Sequence, residues 1–204
     1  MTHAPQAPAA GPELPEMPEL LVLPELRLKP KEGRRLSAGH LWVFSNEVDI
    51  ERTPLDGFAP GALCRVIGDR EHFLGYAYVN PHALICARIL GRDARYPPGK
   101  PLLVHRLQVA LALRERLYAR PFYRLAHGES DGLPGLVLDR YGDVVVGQIG
   151  TAGMEALKAE ISAAVQQVVA PAALVWKNDS GARELEGLPS YVETAFGDAP
   201  GHVE

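Results

Sequence analysis

Cysteine, tryptophan and long apolar runs are all scarce in this chain of 204 residues. It has two cysteines, too few for the bridge network that holds small secreted scaffolds together. Cys64 and Cys86 fall in predicted strands and read as small buried hydrophobes. No apolar stretch is long enough to cross a bilayer, so no membrane partner is expected. The start, Met1-Thr2-His3-Ala4-Pro5, lacks the basic and apolar regions of a secretory signal, which points to a cytoplasmic protein. The seven histidines form no His-x-x-x-His pair and no Cys–His cluster, so no metal site is expected. A dinucleotide fingerprint is missing as well. Gly147, Gly150 and Gly153 lie between a strand and a helix, but their spacing is wrong for Gly-x-Gly-x-x-Gly.

What the chain does have is the composition of a globular protein, 47% hydrophobic and 23% charged, with length for one or two small domains. The net charge of −4 hides an asymmetry. Residues 1–25 carry four acids and no Lys or Arg. Residues 26–124 carry 17 Lys and Arg against 9 Asp and Glu, and residues 125–204 carry 4 against 12. A basic block between acidic segments points to an anionic partner met locally. Sixteen of the 21 basic residues are Arg, the side chain suited to bidentate phosphate contacts.

Residues 1–25 are rich in Pro and Glu without periodicity and read as a disordered leader. Glu25 to Lys29 reads as a strand, and Lys31 to Gly39 as one short helix stopped by glycine. Strands follow at Leu63–Ile67, Phe73–Val79 and Leu84–Leu90, separated by turns at Gly68-Asp69 and Asn80-Pro81. Short, closely spaced strands with one small helix predict a compact β-barrel over 26–96. Pro97-Pro98-Gly99 marks a break. An α+β domain is expected over 98–190, with 191–204 the start of a linker. Its first helix spans Leu102 to Tyr118, with Leu103, Leu107, Ala110, Leu111 and Leu117 on one face and Arg106, Arg116 and Arg120 pointing elsewhere. Thr151 is expected to cap a second helix that buries Met154, Leu157, Ile161, Val165 and Val168.

The most informative stretch is Gly128-Glu129-Ser130-Asp131-Gly132-Leu133-Pro134-Gly135-Leu136-Val137-Leu138-Asp139-Arg140-Tyr141-Gly142. Asp131-Gly132 and Pro134-Gly135 each favour a tight turn, since Gly tolerates the positive φ that such turns need and Pro presets φ. Leu136–Leu138 and Val144–Val146 then read as a hairpin closed at Tyr141-Gly142-Asp143. This stretch resembles the central-domain signature of a bacterial family of SAM-dependent RNA methyltransferases whose best-known member makes 5-methylcytosine in 23S rRNA. Two further segments resemble the same family: His40-Leu41-Trp42-Val43-Phe44-Ser45, as the start of its PUA domain, and Asn178-Asp179-(x)3-Arg183-(x)2-Glu186-Gly187-Leu188, as the lead into its methyltransferase domain.

The resemblance implies an α+β protein, a PUA-like small β-barrel followed by an α+β central domain, with RNA (23S rRNA) as partner. It places Arg34, Arg35 and His40 at the RNA, where arginines meet phosphates and an imidazole stacks or hydrogen-bonds. Trp42 and Phe44 are read as barrel core. The family's SAM-binding Rossmann-like domain and its cysteine nucleophile would follow residue 204. No catalytic, cofactor or metal residue is therefore expected within this chain, and SAM is expected in the missing C-terminal domain. A stand-alone RNA-binding module is a second reading. A hydrolase using Glu129, Asp131 and Asp139 is a third. Against it, Asp131 is expected to bond its own backbone in an Asx-turn, and Asp139 to make a local ion pair with Arg140 or a turn hydrogen bond.

Overall fold

A computed structural model of the chain describes residues 23–199. The proposed leader lies almost entirely outside the described residues. Among the described residues, two five-stranded sheets account for the strands.

The first sheet contains β1 (Glu25–Arg27), β2 (Trp42–Phe44), β3 (Ala62–Ile67), β4 (Phe73–Val79) and β5 (Ile85–Gly91), in the order β1-β3-β4-β5-β2. β1 is parallel to β3, and the other pairs are antiparallel. The two outer strands meet. Lys29 N–H donates to Glu47 O, Asp49 N–H donates to Arg27 O (both 2.9 Å), and Leu28 bridges Val48. The sheet thereby closes on itself around Leu26, Val43, Val48, Cys64, Val66, Ala77, Cys86 and Ile89. Closure leaves few free strand edges, which suits such a small sheet. The short helix α1 (Arg34–Ser37) lies on the closed sheet through Leu36. Cys64 and Cys86 are free and buried, and burial pushes both thiols up, Cys86 to about 12. They are inert core hydrophobes.

The second sheet runs β10 (Tyr191–Phe196), β9 (Ala173–Asn178), β8 (Val144–Ile149), β7 (Leu136–Tyr141), β6 (Phe122–His127). All its pairs are antiparallel except β8 with β9. That parallel pair needs a crossover, supplied by α3 (Ala152–Ala156) and α4 (Lys158–Val168). α2 (Lys100–Leu117) packs on α4. Leu103 and Leu107 of α2 and Met154, Ile161 and Val165 of α3 and α4 are buried against Leu136, Leu138, Val145, Leu174 and Trp176. The hairpin expected at 136–146 is present, with Tyr141 paired to Val144.

Several expectations are corrected. The second helix is broken at Leu157. Thr151 makes no side-chain cap; its hydroxyl instead lies in hydrogen-bond contact with Tyr78 Oη at 3.1 Å. Leu117 is exposed, while Arg106 turns inward and donates to the carbonyls of Leu90 and Gly132. Residues 191–196, read as linker, form the edge strand β10. Trp42 is 40% exposed rather than barrel core, and its Nε1–H donates to Glu129 Oε1 at 2.7 Å. Phe44 is half-buried beneath the Arg35 guanidinium, 5.0 Å from the ring centroid.

The core of the second unit extends onto the first sheet. Tyr78 and Leu90, on the outer face of the closed sheet, belong to the apolar cluster of the second unit. The Gly128–Gly142 stretch sits in this join. The Tyr78 hydroxyl donates to Pro134 O at 2.8 Å. Burial pushes the Tyr78 phenol above its ordinary range, so it stays a neutral donor. Two of the three spaced glycines prove to be packing positions. A Cβ at Gly147 would lie 2.2 Å from the Trp176 ring, and one at Gly153 would lie 1.9 Å from the Tyr78 ring.

Candidate nucleic-acid interface

The RNA-contact residues expected from the sequence lie on or just after α1, and the fold separates them. Leu36 anchors the helix in the core, so Arg34, two residues back and on the opposite side of the helix, faces solvent. Lys31 precedes the helix at φ +72°, and its N–H donates to Asp69 Oδ2 at 3.0 Å. This bond brings the 30–37 segment against the 68–72 turn. Between them lies an open cleft of about 370 Å³, lined by Lys31, Arg34, Ser37, Asp69 and His72 over a floor of Leu74. Gly33 and Gly68 let that floor rise, because a Cβ at either would stand about 3 Å from the Leu74 side chain. Among the described residues, neither Lys31 Nζ nor the Arg34 guanidinium has a carboxylate partner, and the cleft's one acid, Asp69, is bonded to backbone. Two uncommitted cations with an imidazole beside them can take a phosphodiester.

Arg35 and His40 are outside this cleft. Arg35 is committed to the protein: Nη2 and Nε donate to Glu47 Oε1 at 2.7 and 3.2 Å. Glu47, 7% exposed, also accepts from Phe44 N–H at 2.8 Å. His40 is exposed just beyond α1, and its carbonyl accepts from Arg92 Nη2 at 2.7 Å. Sequence reasoning missed Lys31, Ser37 and His72. They converge from two loops, and nothing in their spacing announces it.

The three carboxylates of the Gly128–Gly142 stretch do not converge. Glu129 holds Trp42. Asp131 makes a bidentate pair with Arg114 (2.5 and 2.7 Å) and accepts from His127 N–H at 2.7 Å, in place of an Asx-turn. Asp139 pairs with Arg124 across the strands (2.9 and 3.1 Å), while Arg140 donates to Gly142 O. Each acid already has its own partner, which leaves none for hydrolysis. Among the described residues, no group of three His, Cys, Asp or Glu could hold a metal ion. The turns themselves are as expected, with Gly132 at φ +69° and Gly135 at φ +83°.

The Asp131 pair yields a first testable outcome. Its side chains are 13% and 9% exposed, so Asp131→Ala strands the Arg114 guanidinium and the His127 N–H together. A loss of about 2–4 kcal/mol is expected in urea unfolding. An unchanged midpoint with impaired RNA binding would reassign the turn to ligand contact.

A second buried cluster joins the two units. Glu186 Oε1 accepts from Arg88 Nη1 at 2.8 Å, and its Oε2 accepts from Asn80 Nδ2 at 2.8 Å and Ala152 N–H at 3.2 Å. Arg183 is fully buried, donates to Ile149 O, Pro189 O and Glu155 Oε2, and lies 5.0 Å over the Tyr191 ring. The Arg183–Glu186 segment, legible only as part of a motif, is therefore a structural clamp.

Comparison with known proteins adds to this geometry. Residues 26–92 match the family model described as a PUA-like domain. The closed first sheet is that domain. Over 181 residues the chain is 35% identical to the ribosomal RNA large subunit methyltransferase I of Erwinia tasmaniensis, covering 86% of this chain and 45% of that protein. It is 32% identical over 183 residues to the protein of the same name from Shewanella frigidimarina, covering 86% and 44%. The chain thus spans a little under half the length of these curated relatives. Two solved structures share the fold. One is a Streptococcus mutans protein assigned as a SAM-dependent methyltransferase, with TM-score 0.69 and 18% identity over 87% of this chain and 44% of that one. The other is a protein assigned as a methyltransferase and complexed with S-adenosylhomocysteine, with TM-score 0.71 and 17% identity over 88% and 44%.

Proposed function

We propose that this chain is the RNA-recognising portion of a SAM-dependent large-subunit rRNA methyltransferase acting in the cytoplasm. The observation that carries this reading is the similarity to large-subunit rRNA methyltransferases along 86% of the chain, both units included. Cytosine C5 of 23S rRNA is the target that the sequence resemblance implies. Gly147 in β8 and Gly153 in α3 face the rings of Trp176 and Tyr78, which supports a packing role for these two glycines rather than a cofactor-binding one. The methyl donor would be held in the part of the relatives that this chain does not span. The role of these residues is to bind and orient RNA.

Within the PUA-like domain, Arg34 with Lys31 would meet phosphate, and His40 would stack or hydrogen-bond to a base. The three predicted residues separate in a salt series with an rRNA fragment. Arg34→Ala is expected to weaken binding and flatten the dependence of log K on log salt by about 0.7, one phosphate on a single strand. Stability should hold, because the side chain is exposed and unpaired. His40→Ala should weaken binding at constant slope. Arg35→Ala should instead cost about 1–3 kcal/mol of stability, because Glu47 is left buried without its cation. Identical affinities and slopes for wild type, Arg34→Ala and His40→Ala would remove α1 from the RNA site.

A further inference from the structure

Nearly all the arginines of this protein are occupied, and the exceptions are informative. Arg114 and Arg124 are each locked to a carboxylate, while Arg92, Arg106 and Arg140 donate to carbonyls. Apart from Arg34 at the PUA cleft and Arg70 on the turn beside it, Arg116 and Arg120 remain, both exposed and, among the described residues, with neither an ion pair nor a side-chain hydrogen bond. They flank the end of α2. Three aromatic rings are exposed at the same place: Tyr118 at 51%, Phe122 at 45% and Tyr141 at 43%. Phe122 and Tyr141 are register partners on β6 and β7, so their rings share one face of the sheet. Tyr118 stands over the buried Tyr123, ring centroids 5.4 Å apart. Tyr118, Arg120 and Phe122 line an open cleft of about 450 Å³.

The segment is held in place rather than loose. Tyr118 N–H donates to Arg114 O, Phe122 N–H to Arg120 O and Gly142 N–H to Pro121 O, all within 2.9 Å. Pro121 adds its own stiffness. A core has no use for three rings left half in water beside two uncommitted guanidinium groups. Fixed aromatic faces with flanking cations are what an unpaired polynucleotide needs: bases stack on the rings, and phosphates meet the arginines. Such a platform pays little ordering entropy on binding.

We propose that this rim, formed by Arg116, Tyr118, Arg120, Phe122 and Tyr141, is a second RNA contact that stacks unpaired nucleotides of the substrate. It rests on the RNA-binding reading above but lies on the other unit of the molecule, away from the PUA cleft. A second copy of the chain is the rival occupant, because Val109, Leu113 and Leu117 form an exposed apolar stripe along the same helix. Charge argues against it. A two-fold interface brings the same patch of both copies together, and here that would oppose Arg116 and Arg120 with their own counterparts.

The test uses the full chain and an oligouridylate of about 12 nucleotides, in the size range such sites cover. Phe122→Ala is expected to weaken binding about ten-fold at constant salt slope, by loss of one stacked base. Arg116→Ala/Arg120→Ala should weaken binding and flatten the slope by about 1.4, two phosphates. Photo-crosslinking of a thiouridine-substituted oligomer to the unaltered chain should label the peptide containing Tyr118 and Phe122, which keeps the test valid if Phe122→Ala folds poorly. If wild type binds but the variants bind alike and no crosslink maps to this peptide, the rim is not an RNA contact, while the PUA-cleft reading survives. If wild type binds no RNA at all, both fall. If the variants instead abolish a concentration-dependent dimer in sedimentation and leave RNA affinity unchanged, the surface is a protein interface and the proposal is overturned.

Discussion

Glu186→Ala is expected to lower the unfolding free energy by about 3–5 kcal/mol, the range for breaking a buried ion pair by removing one partner. The reason is the number of donors that converge on this one carboxylate. Arg88 and Asn80 come from the closed sheet, and the Ala152 N–H comes from α3 of the second unit. Arg88 and Glu186 are only 12% and 5% exposed, so water cannot replace the lost acceptor. For a chain of this size the melting temperature should fall by about 10 °C. Glu186→Gln keeps an acceptor but loses the charge opposite Arg88, and should fall between wild type and the alanine variant. The site lies in the join, so the alanine variant should also lose the single cooperative transition and unfold its two units separately. Melting followed by Trp fluorescence and by far-ultraviolet dichroism checks this. A midpoint within a degree of wild type would show that the clamp adds nothing.

Gly153→Ala should be nearly as costly, although it adds only one carbon. That carbon would lie 1.9 Å from Tyr78 Cγ and within 2.4 Å of both Cδ atoms. Tyr78 cannot retreat. It is fully buried in β4, and its hydroxyl is fixed by Pro134 O and Thr151 Oγ1. Helix α3 must therefore move off the closed sheet. Overpacking costs about 1–3 kcal/mol where the core can adjust, and more where it cannot. Gly153→Ala is expected at or above that upper figure, and Gly153→Val should give little folded protein. A double-mutant cycle isolates the cause: Tyr78→Ala should cost much less in the Gly153→Ala background than alone, because the clash and the cavity cancel. Additive losses would mean that the glycine is needed for another reason.

Several elements were legible in the residues themselves, each because its signal is local. The αL glycines at 132 and 135 and the Tyr141–Val144 turn follow from backbone sterics. The buried face of Leu103, Leu107 and Ala110 follows from a 3.6-residue period. The same period misled at Leu117 and Arg106. α2 is apolar on both sides, so periodicity alone could not say which side meets the sheet. Trp42 illustrates a second limit. A Trp between β-formers reads as core, yet here it reaches out to Glu129, a partner 87 positions away in the chain.

Turns, strand alternation and the charge asymmetry were settled by the order of the amino acids, because each depends on neighbours within a few positions. Pairing was not. Asp139 met Arg124 rather than the adjacent Arg140 because the β6–β7 register, and not proximity in the chain, decides which side chains face each other. The spacing of glycines 147, 150 and 153 already spoke against a dinucleotide loop, but only the arrival of Trp176 and Tyr78 showed two of them to be seats for rings. The uncommitted cations are the extreme case. An arginine is free to bind RNA only when no carboxylate of its own fold reaches it. That depends on where every acid comes to rest, so it was decided by tertiary structure for Arg34, Arg116 and Arg120, as it was for Arg35 in the opposite sense.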